Sequence, residues 1–400
     1  MTDPADPAHR ILYVISTLDL GGAERHLAYI APQMLRHGFR PVVFSLNGRG
    51  ALAADLEQAG VTVRTHWAES QISRLPRSLR LLLRLPLASF ALLALIIRLR
   101  PQAIHMFLPA AYLLGGLASM IGCVPVRIMS RRSRNHYQRK HPVAARLEHA
   151  LHRQMSALLG NSRRVVDDLI EEGGDERKIC LLYNGIPLPA ATAPEDRRAS
   201  RVALGIEPDV LVMTITANLF AYKGHADLLD ALIAAQGTLG SKWVLLCAGG
   251  DRGILSELRQ RAETGGIASH VRWLGSRRDI KELLAATDIG ILCSHEEGFS
   301  NAILEYMGAG LPTVVTDVGG NAEAVIDGVC GFVVPPRDVT RLANALVQLS
   351  SDPTRRVAMG VAARQRMERH FTLDVCIDKY VCLYDALLKN DGSVPGIDRR

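Results

Sequence analysis

Glu297 and Glu305 carry the spacing E-x7-E within the string EEGFSNAILEYM. Ionised carboxylates accept hydrogen bonds from hydroxyl groups. Between the two, the backbone N–H groups of Phe299, Ser300 and Asn301 fall at a helix start, next to Gly298. A helix start attracts anions through its unpaired donors and its dipole. A diphosphate flanked by sugar hydroxyls would use both features together. Lys223 adds a cation at the turn before the helix GHADLLDAL, another place suited to phosphate. Each feature also has a plainer reading. Glutamates eight apart arise by chance, Glu297 alone would favour a helix dipole, and a lone lysine is more often a surface charge.

These groups need strand ends to hold them. DIGILCS (288–294) is a short apolar run suited to a buried parallel strand, HEEGFSN a polar turn, and LPTVVTD the next strand. Ser300 or Asn301 can cap the intervening helix, which stops at Gly308 and Gly310. The same pattern recurs through the chain. ILYVIST (11–17) runs into Gly21 and Gly22, where backbone can approach a ligand beside another helix start. AIHMF (103–107) places His105 near a strand end, and Arg131 and Arg132 follow the strand VRIMS. Open α/β sheets bind ligands at the carboxyl ends of their strands. His105, Arg131 and Arg132 are therefore candidates on the acceptor side, His105 also for catalysis and the arginines for phosphate, with a hydrogen-bonded cleft histidine and solvated arginines as the alternatives. Asp279 reads as a helix cap, and Gly319, Gly320 and Asn321 as pocket lining or turn chemistry. The alternation predicts an α/β protein with two doubly wound Rossmann-like domains facing across a cleft. An N-terminal acceptor-side domain is predicted over 10–186, a Pro- and Ala-rich linker over 187–200, and a nucleotide-sugar-binding domain over 201–365. Helices over 366–388 follow, with loose tails at 1–9 and 389–400.

Four hundred residues, 48% of them hydrophobic, are enough for two cores. The longest apolar run, Leu85 to Ile97, is too short to cross a bilayer, and the N-terminus does not read as a secretory signal. Seven cysteines without a C-x-x-C pair read as reduced thiols, and the compartment as cytoplasmic. Residues 1–186 hold 24 Lys+Arg against 14 Asp+Glu, a net of +10; residues 187–400 hold 23 against 26, a net of −3. From Ser70 to Leu147 there are thirteen basic residues and no acidic one. That half therefore expects an anionic partner. Arg77, Arg80 and Arg84 share a face opposite Leu79, Leu82 and Leu83, with Pro86 expected to break the helix. A basic amphipathic helix suits an anionic membrane surface, or is an ordinary crossover helix with arginines in water. The single Tyr137 among the bases gives no nucleic-acid motif.

The string EGFSNAILEYMGAGLPTVVTDVGGNAEAVIDGVCGFVVPPRD resembles the signature of the retaining group 1 (family 4) glycosyltransferases, which have the GT-B fold. The resemblance implies that Glu297 touches a donor sugar and Glu305 the ribose hydroxyls. It sets Gly21 and Gly22 at the donor phosphates, Ser276 and Arg277 near the base, and the last helix against the first domain. Family members commonly have Arg-Leu-x-x-x-Lys-Gly where this chain has Asn218-Leu219 and Lys223-Gly224, so one cation on the diphosphate is missing. They also often have a histidine two positions after His105, where this chain has Phe107. The implied activity is a hexosyltransferase-like transfer, with retention, from a nucleoside diphosphate sugar to a hydroxyl acceptor. The acceptor would be a lipid-linked or polysaccharide precursor of cell-surface glycan, handled in the cytoplasm or at the inner face of the membrane. No Asp-rich metal motif is present, and the family needs no metal on the diphosphate. Lys223 and the helix start would stabilise the leaving group. Two other readings remain: a nucleotide-sugar-binding protein without transfer, favoured by the missing arginine, and a peripheral membrane adaptor using the basic half.

Overall fold

The computed structural model describes residues 9–66 and 77–389. The two predicted tails, apart from His9 and Lys389, lie outside the described residues, as does the segment 67–76 with the start of the acid-free stretch. The chain forms two compact units. One comprises residues up to Gly185 together with Leu373 onward, and the other Ile186–Thr372.

The first unit is built on seven parallel strands: β1 (Arg10–Ile15), β2 (Arg40–Ser45), β3 (Thr62–Thr65), β4 (Ala103–Phe107), β5 (Val126–Arg131), β6 (Ala157–Gly160) and β7 (Ile179–Leu181). Their order is β3-β2-β1-β4-β5-β6-β7. β1 and β4 are nearly all apolar because helices cover both faces of the sheet. One core holds Ile11, Tyr13, Ile15 and Phe107, the other Leu12, Val14, Ile104 and Met106. That is the alternation a two-faced strand imposes. Helix Leu373–Leu388 belongs to this unit and buries Cys376, Ile377, Tyr380, Leu383 and Tyr384 in the first core.

The break expected at Pro86 does not occur. Helix Arg77–Leu99 runs through it. Proline removes one i→i−4 bond at a cost of roughly 3 kcal/mol. Ala88, Leu92 and Ile96, spaced by four, bury a stripe in the second core and outweigh that cost.

The second unit has six parallel strands: β8 (Leu211–Thr216), β9 (Trp243–Ala248), β10 (Val271–Gly275), β11 (Ile289–Leu292), β12 (Thr313–Thr316) and β13 (Gly331–Val334). Their order is β10-β9-β8-β11-β12-β13. Each sheet is wound outward in both directions from its first strand, so each has a switch point: between β1 and β4, and between β8 and β11. Much of the predicted linker is structured. Helix Pro194–Ala203 starts with proline, Glu195 and Asp196, all favourable at a helix start. Its Arg197 and Arg201 hold the two oxygens of Asp288 at 2.6 and 2.7 Å.

Candidate functional site

The switch point of the second sheet gathers the residues that the E-x7-E spacing singled out. Lys223 leaves β8 and Glu297 leaves β11, neighbouring strands of the sheet. Lys223 Nζ donates to Glu297 Oε1 at 2.6 Å, and Ser294 Oγ donates to the same oxygen at 2.7 Å. The pair is largely buried, with side chains 18% and 11% exposed. Burial works against the lysine charge, but Glu297 outweighs it and raises the Lys223 pKa. The lysine is therefore held charged, and among the described residues the bonds to Glu297 fall on Oε1 and none on Oε2.

Two glycines permit this closeness. Gly224 has φ +74, and a Cβ there would lie 2.0 Å from Cys293 O. Gly319 has φ +54, and a Cβ would lie 2.2 Å from Glu297 O. Only glycine accepts such positions. The loops are further joined by His295 N–H donating to Tyr222 O (2.7 Å), Gly320 N–H to Gly298 O (2.7 Å) and the His295–Asp227 contact (2.7 Å). Helix Asn301–Gly308 starts here, and its N-cap Ser300 makes no side-chain capping bond. Phe299 is buried against Phe371, with ring centroids 5.4 Å apart. Glu305 lies half-buried on the same helix. Asn218 Oδ1 accepts from Gly250 N–H at 2.8 Å, and a Cβ on Gly250 would come within 2.8 Å of Ser276 Oγ. Ser276 thus borders the Asn218 loop. Arg277 is tied to Asp279 in a two-pronged ion pair. Asp279 makes no side-chain cap, so its predicted capping role gives way to that pair. Asn321 is fully buried and donates to Thr316 O, which makes it a turn brace.

In the first unit Gly21 is the N-cap of helix Gly22–Arg36, with Glu24 folded against it. Two expectations are corrected here. His105 has no exposed surface, and its ring nitrogens pair with Tyr384 Oη and Ser130 Oγ, each at 2.7 Å. Burial, helped by Arg132, pushes its pKa well below the usual value. A neutral imidazole with both nitrogens engaged is a joint between β4, β5 and the last helix, neither a catalyst nor an acceptor contact. Arg131 is also buried. It bridges Glu148 (3.1 Å) and Glu172, so its charge does not face a ligand. Arg134 chelates Asp168. Part of the acid-free stretch is therefore neutralised by carboxylates that follow it in sequence. Arg132 bonds Asn184 and borders a small recess with Leu108, Tyr112, Ser133 and Glu148. Glu148 Oε2 takes bonds from Arg131, Tyr137 and Gln138, whereas its buried Oε1 has no hydrogen-bond partner among the described residues.

Sequence reasoning missed Ser294, Tyr384 and the Glu148–Glu172 pair. Tyr380 and Tyr384, four apart on an apolar helix face, were a readable signal of a polar core face. Nothing local marks Glu148 as buried.

The chain matches the family described as "Glycosyltransferase Family 4" over residues 20–189 and the one described as "Glycosyl transferases group 1" over residues 210–352. The D-inositol 3-phosphate glycosyltransferase of Jonesia denitrificans is 28% identical over 243 residues, 58% of this chain and 57% of that protein. The lipopolysaccharide core biosynthesis mannosyltransferase LpsB of Rhizobium meliloti is 25% identical over 243 residues, 59% of this chain and 67% of that protein. The chain spans about half the length of the first curated relatives it matches. Among solved structures, Anabaena HepE in complex with UDP has a TM-score of 0.81 at 25% identity, covering 94% of this chain and 100% of HepE. In complex with UDP-glucose it has a TM-score of 0.78 at 25% identity, covering 92% and 97%. With both units matched in sequence and in fold, this chain belongs to the group 1, family 4 glycosyltransferases of GT-B architecture.

Proposed function

We propose that this protein transfers a sugar, with retention of configuration, from a nucleoside diphosphate sugar to a hydroxyl acceptor in cell-surface glycan synthesis. The observation that carries the reading is the Lys223–Glu297 pair beside the start of helix Asn301–Gly308, at the switch point of its sheet. As the diphosphate departs, negative charge grows on its leaving oxygen, and Lys223 and the helix start stabilise it. Glu297 Oε2 accepts from a donor-sugar hydroxyl, and Glu305 from the ribose. No protein nucleophile is assigned. The acceptor proton passes to the departing phosphate on the same face, and the diphosphate needs no resident metal. The HepE complexes with UDP and UDP-glucose support uridine diphosphate as the first donor to try. The inositol-phosphate and lipopolysaccharide relatives support a polyol or lipid-linked sugar as acceptor. The Glu148 recess suits one of the acceptor's hydroxyls. A thermal-shift screen of UDP-, ADP- and GDP-sugars tests the reading, because a ligand of the folded state raises its stability. No shift with any donor would overturn it.

Glu305→Gln is expected to weaken nucleoside diphosphate binding by about 1–3 kcal/mol, the scale of a charged hydrogen bond. Calorimetry reads this directly. Unchanged affinity in a folded variant would remove Glu305 from the ribose.

An anionic membrane surface completes the proposal. Among the described residues no helix is long and apolar enough to cross a membrane. Helix Arg77–Leu99 exposes Leu85, Phe90 and Ile97. Helix Pro109–Ile121, packed against it, exposes Leu117, Met120 and Ile121. Arg98, in the last turn of the first of these helices, and Arg100 just after it are exposed. Binding to vesicles with anionic lipid is expected at low salt and should fall as salt rises, since surface attraction decays over a Debye length. Phe90→Asp should abolish it and leave nucleotide affinity intact. Wild-type indifference to such vesicles would end the membrane proposal.

A further inference from the structure

The donor site as described is short of positive charge. Lys223 is paired with Glu297 at 2.6 Å, so the two together bring no net charge to a diphosphate. Asn218, five residues earlier on the same loop, is neutral, and its side-chain oxygen is already bonded to Gly250 N–H. Arg277 is committed to Asp279. A diphosphate ion needs more countercharge than this as its leaving oxygen develops.

The loop that Asn218 holds carries an arginine. Leu219 N–H donates to Gly250 O at 2.9 Å, and Leu219 forms a bridge with Asp251, so the loops after β8 and β9 are joined. Asp251 Oδ1 accepts from the N–H groups of Gly253, Ile254 and Leu255 at 2.8, 3.1 and 3.2 Å, which fixes the backbone on both sides of residue 252. Arg252 is exposed, and among the described residues it has no carboxylate or carbonyl partner. Its guanidinium carbon lies 5.7 Å from the Phe220 ring centroid. Phe220 stacks on Tyr222 at 5.4 Å, and Lys223 Nζ lies 5.2 Å from the Tyr222 ring. One aromatic pair thus orders a cation at each ring, on loops at the carboxyl end of one sheet. A guanidinium resting over a ring still has N–H donors to offer, and its fork matches the oxygens of a phosphate.

We propose that Arg252 is the second cation of the donor site. It binds the diphosphate from the β9 side, and Phe220 holds it in place. The inference rests on the donor-site reading above and adds the group that stands in for a charged residue at position 218.

The test uses the full chain with UDP by calorimetry and uridine by saturation-transfer NMR. Arg252→Ala should lower UDP affinity about tenfold or more, the scale of a charge-assisted contact, and leave uridine binding unchanged. Phe220→Leu should shift UDP affinity the same way by less. Adding Asn218→Arg to Arg252→Ala should recover UDP affinity, which a merely structural role for Arg252 would not allow. The proposal is overturned if Arg252→Ala binds UDP as wild type does. It is also overturned if UDP and uridine weaken equally, or if Asn218→Arg recovers nothing. Failure of the donor reading itself looks different: wild type would then bind none of UDP, ADP and GDP.

Discussion

Lys223→Ala is expected to cut sugar transfer about a hundredfold or more at saturating donor, the effect of removing one group aimed at developing transition-state charge. The lysine is held charged, and on the proposed mechanism, in which the diphosphate departs beside it, its charge is worth more as negative charge grows than in the ground state. Its loss should therefore fall on kcat more than on donor affinity. The substitution also leaves Glu297 without its cation in a largely buried position, so the variant's melting temperature belongs in the same experiment. Lys223→Arg separates the two effects: it preserves the ion pair with Glu297 but changes the point at which charge is delivered. It should keep the stability and lose part of the rate. A Lys223→Ala enzyme that turns over at nearly the wild-type rate with saturating donor would make the lysine a structural partner of Glu297 and nothing more.

Arg131→Ala should lower the stability of the first unit by about 3–5 kcal/mol, because it leaves buried carboxylates uncompensated. Glu148 and Glu172 both lean on this arginine, and their side chains are 0% and 4% exposed. Neighbours cannot replace it: His152 and Asn135 already donate to Glu172, and Tyr137 and Gln138 to Glu148. Urea denaturation reads the change. A shift of less than about 0.5 kcal/mol, the ordinary surface scale, would contradict the buried bridge. The same network sets an acid limit. Burial alone would raise the Glu172 pKa, but bonds from His152 and Arg131 outweigh it and hold the group at about 2, below its usual 4.5. A depressed carboxylate stabilises the fold above its unfolded pKa and loses that contribution as pH falls through the folded one. Wild-type stability should therefore decline from about pH 4.5 down to about pH 2, and Arg131→Ala should remove much of that dependence.

Where sequence reasoning failed, a distant partner was responsible. His105 was legible as a residue of a strand that ends at a switch point. That Tyr384 would cover it from 279 positions away was not. Arg131 was legible as a cation leaving a strand, with Arg134 three residues further on. Their carboxylates, Glu148, Asp168 and Glu172, come from two helices and a helix cap beyond the acid-free stretch, so charge counted along the chain overstated the charge on the surface. Pro86 was read by its local rule, and the burial of Ala88, Leu92 and Ile96 overrode that rule.

The sequence by itself determined the alternation of buried strands and helices, because an apolar strand covered on both faces and a strand–turn–helix with glycine are written in consecutive residues. It also determined where the donor-site candidates sit, since Lys223 and Glu297 occupy turns after strands and Glu305 the helix that follows, each with local signals. Tertiary structure alone decided who meets whom. Lys223 reaches Glu297 across 74 residues because β8 and β11 are neighbours in the sheet. Arg252 reaches Phe220 because the loops after β8 and β9 zip together. The physical reason is range: local periodicity reports which way a side chain faces, whereas burial, pairing and charge depend on atoms that only the folded sheet brings within a few ångströms.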